Sequence, residues 1–215
     1  MEVYERRTGE NGELVLRGDG RHFEIISNGV FLMDTRAGES ERLLVRAALE
    51  RVARPSRVLV GGLGVGFSLA EALRSPRTEA VTVIEREPAI IGWHATYLRP
   101  YSGGALDDPR VRVERADLLG WLRTTTLTYD VLCLDIDNGP DWTVTEGNAA
   151  LYGPAGLDLL AGRLRPGGVL SVWSAGAAPV FEALLRERFT GVSAHAVPVA
   201  RGEPDVVYLA STSSA

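Results

Sequence analysis

The chain has 215 residues, 45% hydrophobic and 24% charged, with a net charge of −5. That length supports a sizeable single core, or one core with an appendage, and no second full domain is expected. The acidic balance, with no basic stripe interleaved with aromatics, argues against a nucleic-acid partner. No apolar run reaches the roughly 18 residues that a membrane span needs, and no signal peptide is recognisable. Cys133 is the single cysteine, so no disulfide forms within the chain; it reads as core, and a reducing cytoplasm is the expected compartment. Lysine is absent, which excludes Schiff-base chemistry. His22, His94 and His195 are isolated, give no zinc spacing and read as structural; no metal site is expected. A GxSxG elbow is also missing, which disfavours acyl-enzyme hydrolysis.

Residues 1–36 read as a small three-stranded β-meander. Glu13 to Arg17, Arg21 to Ser27 and Val30 to Thr35 have strand character and are separated by the turns Asp19-Gly20 and Asn28-Gly29. Residues 37–215 read as the main domain. Ser40 or Thr35 is placed to start a helix with Leu43, Leu44, Ala47, Ala48 and Val52 on one face, and Pro55 ends it. Met33 and Trp173 are assigned to the core.

Arg57 to Glu85 is the most informative stretch. Val58 to Val60 is a β-branched run suited to a buried parallel strand, followed by a turn containing Gly61, Gly62, Gly64 and Gly66. Glycine lets the backbone approach a ligand closely, and the next helix offers free N–H groups. Val81 to Ile84 then delivers Glu85 to a strand's carboxyl end, where an acid can accept both hydroxyls of a ribose. The spacing is GxGxG rather than GxGxxG, which favours S-adenosylmethionine over a dinucleotide.

Downstream, Pro88 suits a helix start, with Ile90, Ile91, His94, Tyr97 and Leu98 at helical spacing up to Pro100. Val111 to Val113 is a strand, followed by Ala116-Asp117 and a short helix; Val131 to Leu134 is another, ending at Asp135. A long loop from Ile136 to Ala150 leads to a helix from Pro154 to Leu164 and a strand from Val169 to Trp173. A helix from Pro179 to Phe189 and a hairpin of strands, Val192 to Val199 and Val206 to Ala210, complete the chain. The alternation predicts an α/β fold: a doubly wound, mainly parallel, seven-stranded Rossmann-like sheet.

Glu85, Asp117, Asp135 and Asp137 all fall at or just beyond strand carboxyl ends, so the fold brings them to one crevice whose negative charge suits a sulfonium cation. Asp117 also stands where a helix cap is natural. The loop from Asp135 to Trp142 is longer than a connection requires and is the candidate acceptor site. Crowded carboxylates raise one another's pKa, and Asp135 or Asp137 so raised can deprotonate an attacking ammonium. Asp141, Trp142 and Tyr152 are the candidate acceptor-binding residues, with Trp93 as a further wall; simple packing and a surface Asn-Gly-Pro turn are the alternatives.

These residues resemble the spermidine synthase-like branch of the class I S-adenosylmethionine-dependent transferases over nearly the whole chain. ISNGVFLMDTRAGESERLL is similar to that family's hairpin and gate, VLVGGLGVGF to its glycine turn and VTVIERE to its ribose-binding acid. ERADLLGWL, YDVLCLDIDNGP and NAALYGPAGLDLLAGRLRPGGVL follow in the family's order. The resemblance implies that Glu85 holds the ribose, Asp117 the adenine amine and Asp135 the acceptor amine, with Gly62, Gly64 and Gly66 shaping the cofactor turn. It also suggests a homodimer. Where the family's aminopropyltransferases carry an aspartate in the turn, this chain has Gly64, and the gate's glutamine and Tyr-His-Glu are absent. The leading expectation is therefore methyl transfer from S-adenosylmethionine to a small-molecule acceptor, with an amine among the candidates. Aminopropyl transfer from decarboxylated S-adenosylmethionine is the first alternative, and a non-catalytic ligand-binding protein the second.

Overall fold

The structure, a computed structural model, describes residues 1–143 and 146–213. The N-terminal unit is an antiparallel sheet of four strands in the order β1 (Glu2–Gly9), β2 (Gly12–Gly18), β3 (Phe23–Ser27) and β4 (Val30–Asp34). The sequence suggests only the last three. β1 reads EVYERRTG, too charged to stand out, yet charge is what suits an exposed edge strand. It pairs with β2 from Glu2↔Gly18 to Gly9↔Gly12.

Helix α1 (Glu39–Glu50) follows, but neither expected starter caps it. Gly38 is the N-cap residue, at φ 152°. The Thr35 hydroxyl accepts from Phe23 N–H at 2.9 Å, and the Ser40 hydroxyl is engaged with acids described below.

The main sheet has seven strands in the order β10-β11-β9-β8-β5-β6-β7. They are β5 (Ser56–Gly61), β6 (Thr78–Glu85), β7 (Val111–Arg115), β8 (Tyr129–Leu134), β9 (Leu164–Ser174), β10 (Thr190–Val197) and β11 (Asp205–Ser211). Five are parallel, and β11 runs antiparallel between β9 and β10, as the predicted hairpin requires. The connecting helices are α2 (Phe67–Arg74), α3 (Pro88–Trp93), α4 (Arg99–Ser102), α5 (Leu118–Thr124), α6 (Ala149–Tyr152), α7 (Pro154–Ala161) and α8 (Pro179–Arg188).

Strand periodicity divides the core in two. Val58, Val60, Val131 and Cys133 face α1, α2 and the N-terminal sheet. Leu59, Leu132 and Leu134 face α5, α7 and α8. Both faces are covered, which is why the central strands are continuously apolar. Leu14, Leu16, Phe23 and Ile25 of the N-terminal sheet belong to the first cluster, so that sheet shares the main core.

The order reverses between β5 and β8, which creates a switch point at their carboxyl ends. Below it, buried Asp130 accepts from Arg54 Nε at 2.6 Å, Arg57 N–H at 2.9 Å and Arg165 Nη1 at 3.2 Å, locking the opposite end of the strands.

Candidate active site

A cavity of about 560 Å³ opens at the switch point, roofed by the N-terminal sheet. Such a volume is in the range of small-molecule sites. Its floor is the glycine turn. Gly62 has φ 91°, and a Cβ there would stand 2.1 Å from the Asp135 carbonyl oxygen, so only glycine lets the β5 and β8 ends lie this close. Gly64 has φ 47°, and its missing Cβ would meet Met33 Sδ at 2.2 Å. Met33 comes from β4, and its sulfur accepts from Val65 N–H at 3.2 Å, seating the roof on the turn. Gly66, at φ 91°, starts α2.

His94, read as structural, holds the turn from behind. Its Nε2 lies 2.9 Å from the Gly64 carbonyl, which can only accept, so Nε2 carries the proton and Nδ1 faces Ser102 Oγ at 3.3 Å. Burial pushes its pKa down, which keeps the ring neutral.

Acids dominate the walls. The Glu85 carboxylate is buried and accepts from Leu63 N–H at 2.9 Å and Glu87 N–H at 2.8 Å, which ties it to the glycine turn. Burial still pushes its pKa upward against those bonds. Asp117 caps α5, its Oδ1 accepting from Gly120 N–H at 2.8 Å, and it also lines the cavity.

Asp135 is partly buried and lines the cavity, its Oδ2 accepting from the Ser68 hydroxyl at 2.7 Å. Burial foremost, then the neighbouring Glu41, pushes its pKa up to about 7. Asp137 also lines the cavity; it adopts φ 54°, and its Oδ2 accepts from Asn148 Nδ2 at 2.6 Å. The lining thus includes Glu41, Glu85, Glu87, Asp117, Asp135 and Asp137, with Arg86 as the one cation among the described residues.

The remaining candidates lie elsewhere. Trp142 is 58% exposed, and neither it nor Asp141 lines the cavity; the turn there closes on itself through Trp142 N–H to the Gly139 carbonyl at 3.3 Å. Tyr152 packs edge-on against Phe181 in the second core cluster. Trp93 is buried, its Nε1 donating to Glu5 at 3.1 Å. Met33 and Trp173, assigned to the core, do pack on it but also line the cavity.

Sequence reasoning missed Glu41, which is 9% exposed on the face α1 turns inward. The legible signal is an acid three and four residues before Leu44 and Val45, on an otherwise apolar stripe. Asp205 was missed because nothing local distinguishes it from an ordinary strand start.

The strand order and the cavity at the switch point define a class I S-adenosylmethionine-dependent transferase fold. The chain belongs to the spermine/spermidine synthase domain family, which matches residues 39–183. It is 38% identical over 121 residues to polyamine aminopropyltransferase 1 of Streptomyces coelicolor, covering 55% of this chain and 22% of that protein. It is 36% identical over 118 residues to the polyamine aminopropyltransferase of Mycobacterium tuberculosis, covering 54% and 22%. The matched segments therefore span about a fifth of those relatives' length.

Among solved structures, spermidine synthase in complex with the transition state analogue AdoDATO matches with a TM-score of 0.81 at 18% identity, over 100% of this chain and 75% of that one. That likeness confirms the fold. The family and its named relatives overturn methyl transfer as the leading expectation and favour the aminopropyltransferase alternative.

Proposed function

We propose that this protein transfers the aminopropyl group of decarboxylated S-adenosylmethionine to a small amine acceptor. The observation that carries the reading is the charge of the cavity, six carboxylates against one arginine, in a member of the spermine/spermidine synthase family. Both substrates of such a reaction are cationic: the donor carries a sulfonium and an ammonium, and the acceptor is an ammonium at neutral pH.

The residues fit the donor. Glu85 spends one lone pair of each oxygen on backbone N–H groups and keeps acceptor capacity for the ribose hydroxyls. Gly62 and Gly64 let the strand ends and the roof close in around the donor's place, and Asp117 faces the adenine side. Asp135 is the proposed base: with a pKa near 7 it is poised to take a proton from the acceptor ammonium. The freed lone pair then forms the new C–N bond as the C–S bond breaks and its electrons remain on sulfur. Asp137 lines the acceptor side, whereas the positions of Asp141, Trp142 and Tyr152 support no direct contact with either substrate.

The test is a product assay with α,ω-diamines, offering either S-adenosylmethionine or its decarboxylated form. An amine extended by three carbons, together with methylthioadenosine, is the expected result. A methylated acceptor with S-adenosylhomocysteine, or no turnover with any diamine, would overturn it.

A further inference from the structure

Behind the cavity wall, one hydroxyl bridges two acids. Ser40 Oγ lies 2.9 Å from Glu41 Oε2 and 2.7 Å from Asp205 Oδ2, and it accepts from Trp173 Nε1 at 3.0 Å. A serine hydroxyl has a single proton to donate, whereas carboxylate oxygens only accept. One of the two short contacts is satisfied by that proton. The other is a hydrogen bond only if its carboxyl carries a proton and donates it to Oγ. Both contacts are satisfied together when the pair shares one proton.

The bridge has a direction. Glu41 lines the cavity and is buried, whereas Asp205, the first residue of β11, is half-buried beside the exposed segment 198–204. The charged groups acting on this chain of bonds are Asp205 and Arg42 on Glu41, and Glu41, Asp205 and Glu85 on Asp135. Arg42 is turned onto the Phe67 ring, 4.3 Å from its centroid, and makes no ion pair with either acid among the described residues. The Ser68 hydroxyl joins the two walls, at 2.7 Å from Asp135 Oδ2 and 3.3 Å from the Glu41 carbonyl.

We propose that Glu41, Ser40 and Asp205 form a proton wire that carries the acceptor amine's proton from the cavity to solvent. The second half of this inference rests on the aminopropyl-transfer reading. An ammonium that attacks a sulfonium must release one proton per turnover, because the product nitrogen ends as a secondary ammonium and the sulfur as a neutral thioether. Asp135 takes that proton. The Ser40 hydroxyl passes its own proton to Asp205 as it accepts the shared one from Glu41, and Asp205 releases a proton to water; Glu41, emptied, then receives the proton of Asp135 across the cavity that both line. Asp135 is thereby reset as a carboxylate. Ser40 and Asp205 touch no substrate in this scheme.

Two measurements test the wire. Infrared spectra of the ligand-free protein at pH 7 should contain a protonated-carboxyl C=O band from the pair, and Asp205→Asn should remove or shift it. No change in that band would overturn the shared proton whether or not the protein proves to be an aminopropyltransferase. In the turnover assay, Ser40→Ala and Asp205→Asn should each lower kcat about tenfold or more while leaving both KM values within about twofold, with recovery in Asp205→Glu. The solvent deuterium isotope effect on kcat should rise in the slowed variants, which loss of packing alone would not cause. An unchanged kcat in both variants, or parallel changes in KM, would overturn the wire.

Discussion

The two halves of the cavity are built on different principles. The floor, Gly62, Glu85 and Asp135, is delivered by the carboxyl ends of β5, β6 and β8, each within a few residues of a strand that can be read locally. The roof and back wall present Met33 and Glu41, with Ser40 and Asp205 behind them; these residues come from β4, α1 and β11, which are separated by up to 172 positions and meet only through the fold. The floor is a motif. The back wall is a consequence of topology.

Three substitutions, one of them read in two ways, sharpen that contrast. The largest effect is expected at Asp135, the floor's proposed base: Asp135→Asn should lower kcat by about 10²- to 10⁴-fold while calorimetric binding of the donor is nearly unchanged. Equal loss of donor affinity would make Asp135 a binding residue instead. Next is Gly62→Ala, where a positive φ and the Asp135 carbonyl 2.1 Å from the new Cβ combine strain with overpacking. Denaturant unfolding should record a loss of about 2–4 kcal/mol; a neutral result would mean that the β5 and β8 ends are not held as closely as described.

Asp135→Asn should also stabilise the fold in a pH-dependent way. Burial pushes the folded pKa to about 7, above the ordinary carboxyl range, so the parent keeps its full stability below about pH 4 and loses it as pH rises to 7. The variant should thus gain roughly 2–4 kcal/mol over the parent at pH 8, with the gap closing near pH 4. A gap that does not vary with pH would show that the parent carboxyl titrates normally. The smallest effect is expected at Trp142, which is exposed and outside the cavity: Trp142→Ala should change kcat/KM by less than about twofold and stability by about 0.5 kcal/mol or less.

These differences follow what the sequence makes legible. Continuous apolar runs at Val58, Val131 and Val169 announce the parallel sheet, because a strand covered on both faces can carry little else. Glu85 and Asp135 are readable because strand ends converge at a switch point in any doubly wound sheet. β1 was illegible, since an edge strand needs only pairing on one side and its charged residues conceal it. Glu41 was legible in principle as an acid on an apolar helix face. The partnership of Ser40 with Asp205 spans 165 positions and was not legible without the β11 register. Asp141 and Trp142 misled because polar and aromatic residues next to a site motif look functional whether or not the turn points inward.

The most direct test of aminopropyl transfer is parallel calorimetric titration with decarboxylated and intact S-adenosylmethionine. They differ by one carboxylate, which the intact form would bring into a cavity already lined by six acids. Like charges within a few ångströms at the partly screened dielectric of such a site cost about 1–4 kcal/mol, so the decarboxylated form should bind tenfold or more tightly, roughly 1.4 kcal/mol. Equal binding, or preference for the intact form, would contradict the account.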